Sequence, residues 1–63
     1  MDFAEKVKIV RENLKISQEK MAQLLGVSFS TVNRWEQGKA LPSYATIQKF
    51  NALCKEHAIN FEE

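Results

Sequence analysis

Apolar residues along this chain recur at helical intervals, and short polar breaks separate the runs. Phe3, Val7, Val10 and Leu14 fall at steps of four, three and four, the period of one face of an α-helix. A first helix is predicted from about Asp2 to Leu14, with Asp2 placed to cap its start and Lys15 suited to the negative end of its dipole. Ile9 falls off that stripe. Ser17 should cap a second helix over about 18–25, because Ile16 before it stands in the staple relation to Met21. Position Lys20 is not Glu or Gln, so the reciprocal half of a capping box is missing. Met21, Leu24 and Leu25 are its expected buried face, and Ala22 is small enough to let another helix approach. Gly26 is the expected stop, after which Val27 returns the chain to the core. Ser28 caps a third helix over about 29–37, which buries Val32 and Trp35 and stops at Gln37 and Gly38. After the loop 39–42, Ser43 caps a fourth helix over about 44–56, where Ile47, Phe50, Leu53 and Cys54 continue the apolar period. Asn60 is placed to cap a further helix, which leaves a fifth open.

Composition narrows the class of molecule. Sixty-three residues make one domain, close to the size at which a single apolar core only just offsets chain entropy. An economical all-helical packing is therefore expected, with no roomy enzyme cleft. The apolar fraction of 44% and charged fraction of 27% are those of a soluble globular domain. No apolar run approaches the length of a membrane span. The start, MDFAEKVK, has no apolar core of a signal peptide, so a cytoplasmic protein is expected. Cys54, the single cysteine, has no partner for a disulfide and reads as a small buried hydrophobe. His57 has no companion at ligand spacing, which points to a helix-end or interface role. No nucleophile stands with a paired His and carboxylate, and no glycine-rich phosphate loop is present, so no enzyme, cofactor, metal or small-molecule ligand is expected.

The formal charge of +1 does not by itself announce nucleic acid. Its distribution is uneven. Residues 11–39 hold Arg11, Lys15, Lys20, Arg34 and Lys39 against Glu12, Glu19 and Glu36, whereas residues 50–63 hold Lys55 against Glu56, Glu62 and Glu63. The chemistry concentrates in residues 18–37, where the third helix shows an outward face of Phe29, Ser30, Thr31, Asn33 and Arg34. Arg34 can donate two parallel hydrogen bonds to guanine O6 and N7, and Asn33 can pair with adenine N6 and N7. Ser30 and Thr31 can reach a base edge or a phosphate. The ring of Phe29 suits thymine methyls, or covers the helix start.

Met21, Ala22, Leu25, Gly26, Val27, Val32 and Trp35 resemble, in order and spacing, the core and turn positions of the helix-turn-helix of the phage repressor, Cro and XRE family. The string ISQEKMAQLLGVSFSTVNRWEQGKALPS is similar to that family without a gap, and the likeness covers about Val7 to Leu53. It implies a compact all-α, lambda-repressor-like DNA-binding domain of four or five helices spanning 1–63, with helices 2 and 3 as the helix-turn-helix. In such domains helix 3 enters the major groove and helix 2 crosses the backbone. The base-reading set carried over is Phe29, Ser30, Thr31, Asn33 and Arg34, although a polar residue is commoner at the place of Phe29.

Free N–H groups at helix starts, and one loop charge, nominate Gln18, Lys39, Ser43 and Tyr44 as phosphate contacts. Arg11 and Glu36 occupy positions of a buried ion pair in relatives. Trp35 reads as core and not as a stacking platform, and Lys6, Lys8 and Lys49 as solvated faces. The expected function is sequence-specific binding of double-stranded DNA as a transcriptional regulator or its DNA-binding domain, in the cytoplasm of a bacterium or a phage-infected host. With few basic contacts per subunit, a homodimer on a two-fold site is expected. Its contacts would come from a longer protein, or from the fourth helix and tail through Phe50, His57, Ile59 and Phe61. The alternative is a protein-interaction module that keeps the fold without specific DNA binding.

Overall fold

The computed structural model describes residues 1–61. Among them are four helices and no strand: α1 (Phe3–Leu14), α2 (Gln18–Leu25), α3 (Phe29–Glu36) and α4 (Tyr44–Glu56). Each start is fixed by a short polar side chain that accepts an N–H the helix leaves unpaired. Asp2 Oδ1 accepts from Glu5 at 2.9 Å and Ser17 Oγ from Lys20 at 3.0 Å. Ser28 Oγ and Ser43 Oγ accept from Thr31 and Thr46, both at 3.2 Å.

The four ends share one device as well. Lys15, Gly26, Gly38 and Ala58 all adopt left-handed backbone, with φ of 56, 70, 74 and 54°. The next residue then donates its N–H back into the helix: Ile16 to Arg11, Val27 to Ala22, Lys39 to Arg34 and Ile59 to Cys54, at 3.1, 3.0, 2.9 and 2.8 Å. This is the arrangement that satisfies the last free carbonyls. Glycine enters that region freely, whereas the β-carbons of Lys15 and Ala58 do so at a cost of about 1 kcal/mol. After α1, α2 and α4 the donating residue is apolar, and Ile16, Val27 and Ile59 pack against the core. After α3 it is Lys39, which is exposed.

The core unites Val7, Val10, Met21, Ala22, Leu25, Val32, Trp35, Phe50, Leu53 and Cys54. Phe3 sits between two aromatic partners, edge-on to Trp35 at 5.3 Å and to Phe50 at 5.0 Å. Beyond α4, Phe61 folds back to stack on Phe50 at 6.5 Å, and the Lys6 ammonium lies 5.5 Å from the Phe61 ring. Helix α3 packs against both α1 and α2, and α2 against α4.

Several expectations are corrected. Leu24 is 45% exposed and is not part of the buried face of α2. Met21, Ala22 and Leu25 fill the arc that meets the core, and Leu24 falls about 100° from its centre at 100° per residue. Ile47 sits at the exposed edge of the α4 stripe. Phe50 is 2% exposed and enclosed by Phe3 and Phe61, so it cannot offer a dimer contact. Lys6 is only partly exposed, and its ammonium lies over the Phe61 ring. Residues 59–61 are not helical, and the remainder of any fifth helix lies outside the described residues.

Candidate nucleic-acid interface

Helix α3 divides cleanly by direction. Val32, Trp35 and Glu36 point into the molecule and are buried, whereas Phe29, Ser30 and Arg34 are exposed and Thr31 and Asn33 lie half-buried at the margins. At about 100° per residue Ser30 and Arg34 lie opposite the buried face, whereas Phe29, at the first turn, stands at its edge beside Glu36 and is still half exposed. Burial of Trp35 against Phe3 therefore fixes the rotation of α3, and with it the direction in which Phe29, Ser30 and Arg34 face.

A second restraint fixes its tilt. Arg11 on α1 donates from Nε and Nη2 to the two Glu36 carboxylate oxygens at 2.7 and 3.0 Å, and from Nη1 to the Ile16 carbonyl at 3.2 Å. Such a two-pronged pair holds both distance and angle. Burial works to raise the pKa of Glu36, but hydrogen bonds from Arg11 and Gln18 and the charges of Arg11 and Lys8 outweigh it, and the net shift is downward. The hydrogen bond to Glu36 holds the Arg11 guanidinium above its ordinary value despite burial, helped by the charges of Glu36 and Glu12. Arg11, Gln18 and Glu36 thus converge where α1, α2 and α3 meet. Gln18, expected as a phosphate contact, lies near enough to Glu36 to help lower its pKa.

The starts of α3 and α4 are built alike. The hydroxyls of Ser28 and Thr31 lie 2.9 Å apart, and those of Ser43 and Thr46 3.0 Å apart. Neither helix has an acidic residue in its first turn, whereas α1 has Glu5 and α2 has Glu19. The positive dipole ends of α3 and α4 are accordingly left unneutralised, and that of α2 is opposed by a carboxylate. The Ser28 and Thr46 hydroxyls stand at these two helix starts beside the expected contacts. Their signal was legible as the repeated S-x-x-T of SFST and SYAT. Thr31 is less free than the sequence suggested, because its hydroxyl already meets Ser28.

Lys39 and Ser43 are exposed, and so are Leu41 at 84% and Tyr44 at 76%. The backbone hydrogen bond from Lys39 to Arg34 ties the loop to the last turn of α3. Lys49 brings its ammonium within 3.5 Å of where a β-carbon on Gly26 would stand, beside the end of α2, which has no basic residue of its own there. Cys54 is buried, and that burial pushes its thiol pKa up, which makes it a poor nucleophile. Among the described residues no group of His, Cys, Asp and Glu could hold a metal ion, and no helix is long and apolar enough to cross a membrane.

Comparison with known proteins adds to this geometry. The family described as Helix-turn-helix matches residues 7–57. The HTH-type transcriptional activator BcrR of Enterococcus faecalis is 33% identical over 66 residues of alignment, which takes in 100% of this chain and 32% of BcrR. The chain thus spans about a third of the length of that relative. No solved structure matches. Two helices joined at a left-handed Gly26, an apolar framework from Met21 to Trp35 and a family match over most of the sequence lead to one assignment: the chain belongs to the helix-turn-helix DNA-binding family of phage repressor, Cro and XRE type.

Proposed function

We propose that this domain binds double-stranded DNA sequence-specifically, in the service of transcriptional regulation, with α3 in the major groove. The observation that carries the reading is the division of α3. Its inner face is locked by Trp35 and by the Arg11–Glu36 pair, its outer face presents Ser30 and Arg34, and Phe29 is exposed at its first turn, with Thr31 and Asn33 half-buried. Arg34 takes guanine through two hydrogen bonds and Asn33 takes adenine, the pairings that discriminate best in that groove. Ser30 and Thr31 contact base edges or adjoining phosphates. Gln18, Lys39, Ser43 and Tyr44 hold the backbone and set the register, with the acid-free start of α4 the strongest of these anchors. The name of BcrR as a transcriptional activator agrees with a regulatory role.

A formal charge of +1 and so few cationic contacts make a single domain a weak binder. The affinity should fall with salt by a slope of about −0.9 per phosphate neutralised. Two copies on a two-fold site, with half-sites about 34 Å apart, supply what one lacks. In this reading the protein works in the cytoplasm of a bacterium or a phage-infected host.

Selection of bound duplexes from a random library, at stated salt, tests the proposal. Wild type should enrich a defined site, and Arg34→Ala and Asn33→Ala should each lose discrimination at one base pair while non-specific binding persists. Absence of any enriched sequence, with equal weak binding by all three proteins, would refute it. A second reading, a protein-interaction module without specific DNA binding, draws on the near-neutral charge and the exposed Phe29, Leu41 and Tyr44. It is the reading that a failed selection would leave standing.

A further inference from the structure

We propose that Phe29 reads a methyl group: its ring selects a pyrimidine carrying a C5-methyl, thymine or 5-methylcytosine, in the major groove. This rests on the DNA reading above and deepens it.

Of the five residues of the reading set Phe29 is the one apolar member, and 50% of it is exposed. The other apolar residues of α3, Val32 and Trp35, are buried. Phe29 therefore contributes little to the core, and its chemistry is directed outward. Helical spacing then sets its company. Phe29 lies one turn before Asn33, and Ser30 one turn before Arg34, so the face carries two adjacent rows. One pairs an aromatic ring with an amide, and the other a hydroxyl with a guanidinium.

The edges of base pairs in the major groove offer donors, acceptors and a single kind of apolar group, the C5-methyl of thymine. A ring pressed on a donor or acceptor strips its water and returns no hydrogen bond, which is unfavourable. A ring pressed on a methyl buries apolar surface on both sides. Phe29 thus has one favourable counterpart in the groove. Asn33, one turn on, favours adenine, so A·T pairs satisfy the whole row. Methylation of cytosine places the same group at the same position of the ring, so a C·G pair becomes acceptable once methylated.

The test begins from the site enriched in the selection and replaces each thymine singly by deoxyuridine, which removes the methyl and leaves every hydrogen-bonding group. One thymine per half-site should cost wild type about fourfold in affinity, the worth of one buried methyl. That cost should vanish in Phe29→Ala and in Phe29→Gln, and persist in Phe29→Leu, which remains apolar. Exchanging that T·A pair for C·G should weaken binding, and 5-methylation of the cytosine should recover about the same fourfold. Thermal melting of each variant confirms that it is folded, and having two ring-removing variants keeps the test decisive if one is not. An enriched site with a flat uracil scan overturns the methyl contact alone. So does a scan that is unchanged by loss of the ring. Failure to enrich any site overturns the DNA reading, and this proposal with it.

Discussion

Arg11 on α1 grips both carboxylate oxygens of Glu36, at 2.7 and 3.0 Å, and so ties the first helix to the last turn of α3 across 25 residues of sequence. The Glu36 side chain is 5% exposed and that of Arg11 25%. Removing one partner leaves the other charge enclosed and unpaired. Arg11→Met should therefore cost about 2–4 kcal/mol, at or below the range for a fully buried pair because Arg11 keeps some water. Arg11→Met combined with Glu36→Leu should recover much of that loss, measured by urea unfolding of the set as a double-mutant cycle.

The same pair sets a pH dependence. Glu36 is held below its ordinary value of 4.5, so it binds a proton more readily unfolded than folded. Its contribution is complete above 4.5 and is lost as the pH falls through the lower folded value. Arg11 is held above its ordinary value by the hydrogen bond to Glu36, so its contribution would fade only in strong alkali. The melting temperature of wild type should fall as acid is added below 4.5, and Glu36→Gln should flatten that fall while starting from lower stability. An unchanged acid slope in the variant would assign the effect to other carboxylates.

Helix ends give changes of opposite sign. Gly26→Ala and Gly38→Ala force a β-carbon into left-handed backbone and should each cost about 1–2 kcal/mol. At Gly26 the new methyl would stand 3.5 Å from the Lys49 ammonium, an ordinary contact, and at Gly38 it meets nothing within 4 Å. The two losses should therefore be similar. Lys15→Gly relieves the same strain at φ 56° and should stabilise by about 0.5 kcal/mol, after the added freedom of glycine in the unfolded chain. Denaturant midpoints at constant slope report all three.

Phe3 and Phe61 should differ in cost. Phe3 meets Trp35 and Phe50 inside the fold, and Phe3→Ala should lose about 3 kcal/mol. Phe61 covers Phe50 from the tail, and Phe61→Ala should lose about 1 kcal/mol, chiefly the aromatic contact. Equal losses in thermal melts would show that the tail is as integral as α1.

On DNA, Lys39 and Arg34 should separate by mode of contact. Lys39→Ala should weaken every sequence alike and reduce the salt slope by about one. Arg34→Ala should cost about 1–3 kcal/mol on the selected site alone. A Lys39→Ala protein with altered base preference would place that side chain in the groove instead.

Much of the fold was legible because its signals are local. The cap residues Asp2, Ser17, Ser28 and Ser43 act within three residues of themselves, and each accepts the N–H that its position implies. The framework from Met21 to Trp35 is equally local and carried the family. Relations between distant elements were harder to read. Periodicity placed Leu24 on an apolar stripe but could not give the angle at which α3 and α4 approach α2, which leaves it outside. Nor could it show Phe61 returning to Phe50, because a tail of few residues has no period. For the outer face of α3, sequence named the side chains and their chemistry. The contact between the Ser28 and Thr31 hydroxyls is visible only in the folded structure.

The turn that ends α3 has a further consequence. At the other three helix ends the same turn sends an apolar side chain inward, and here it sends Lys39 outward from a backbone pinned to the Arg34 carbonyl at 2.9 Å. The two cations consequently share one rigid mounting, and little backbone order remains to be lost when a polyanion engages both. Lengthening that turn by one residue would leave the composition and charge of the domain almost unchanged. It would nonetheless uncouple the two cations, and affinity should fall through entropy, with the enthalpy of each contact preserved.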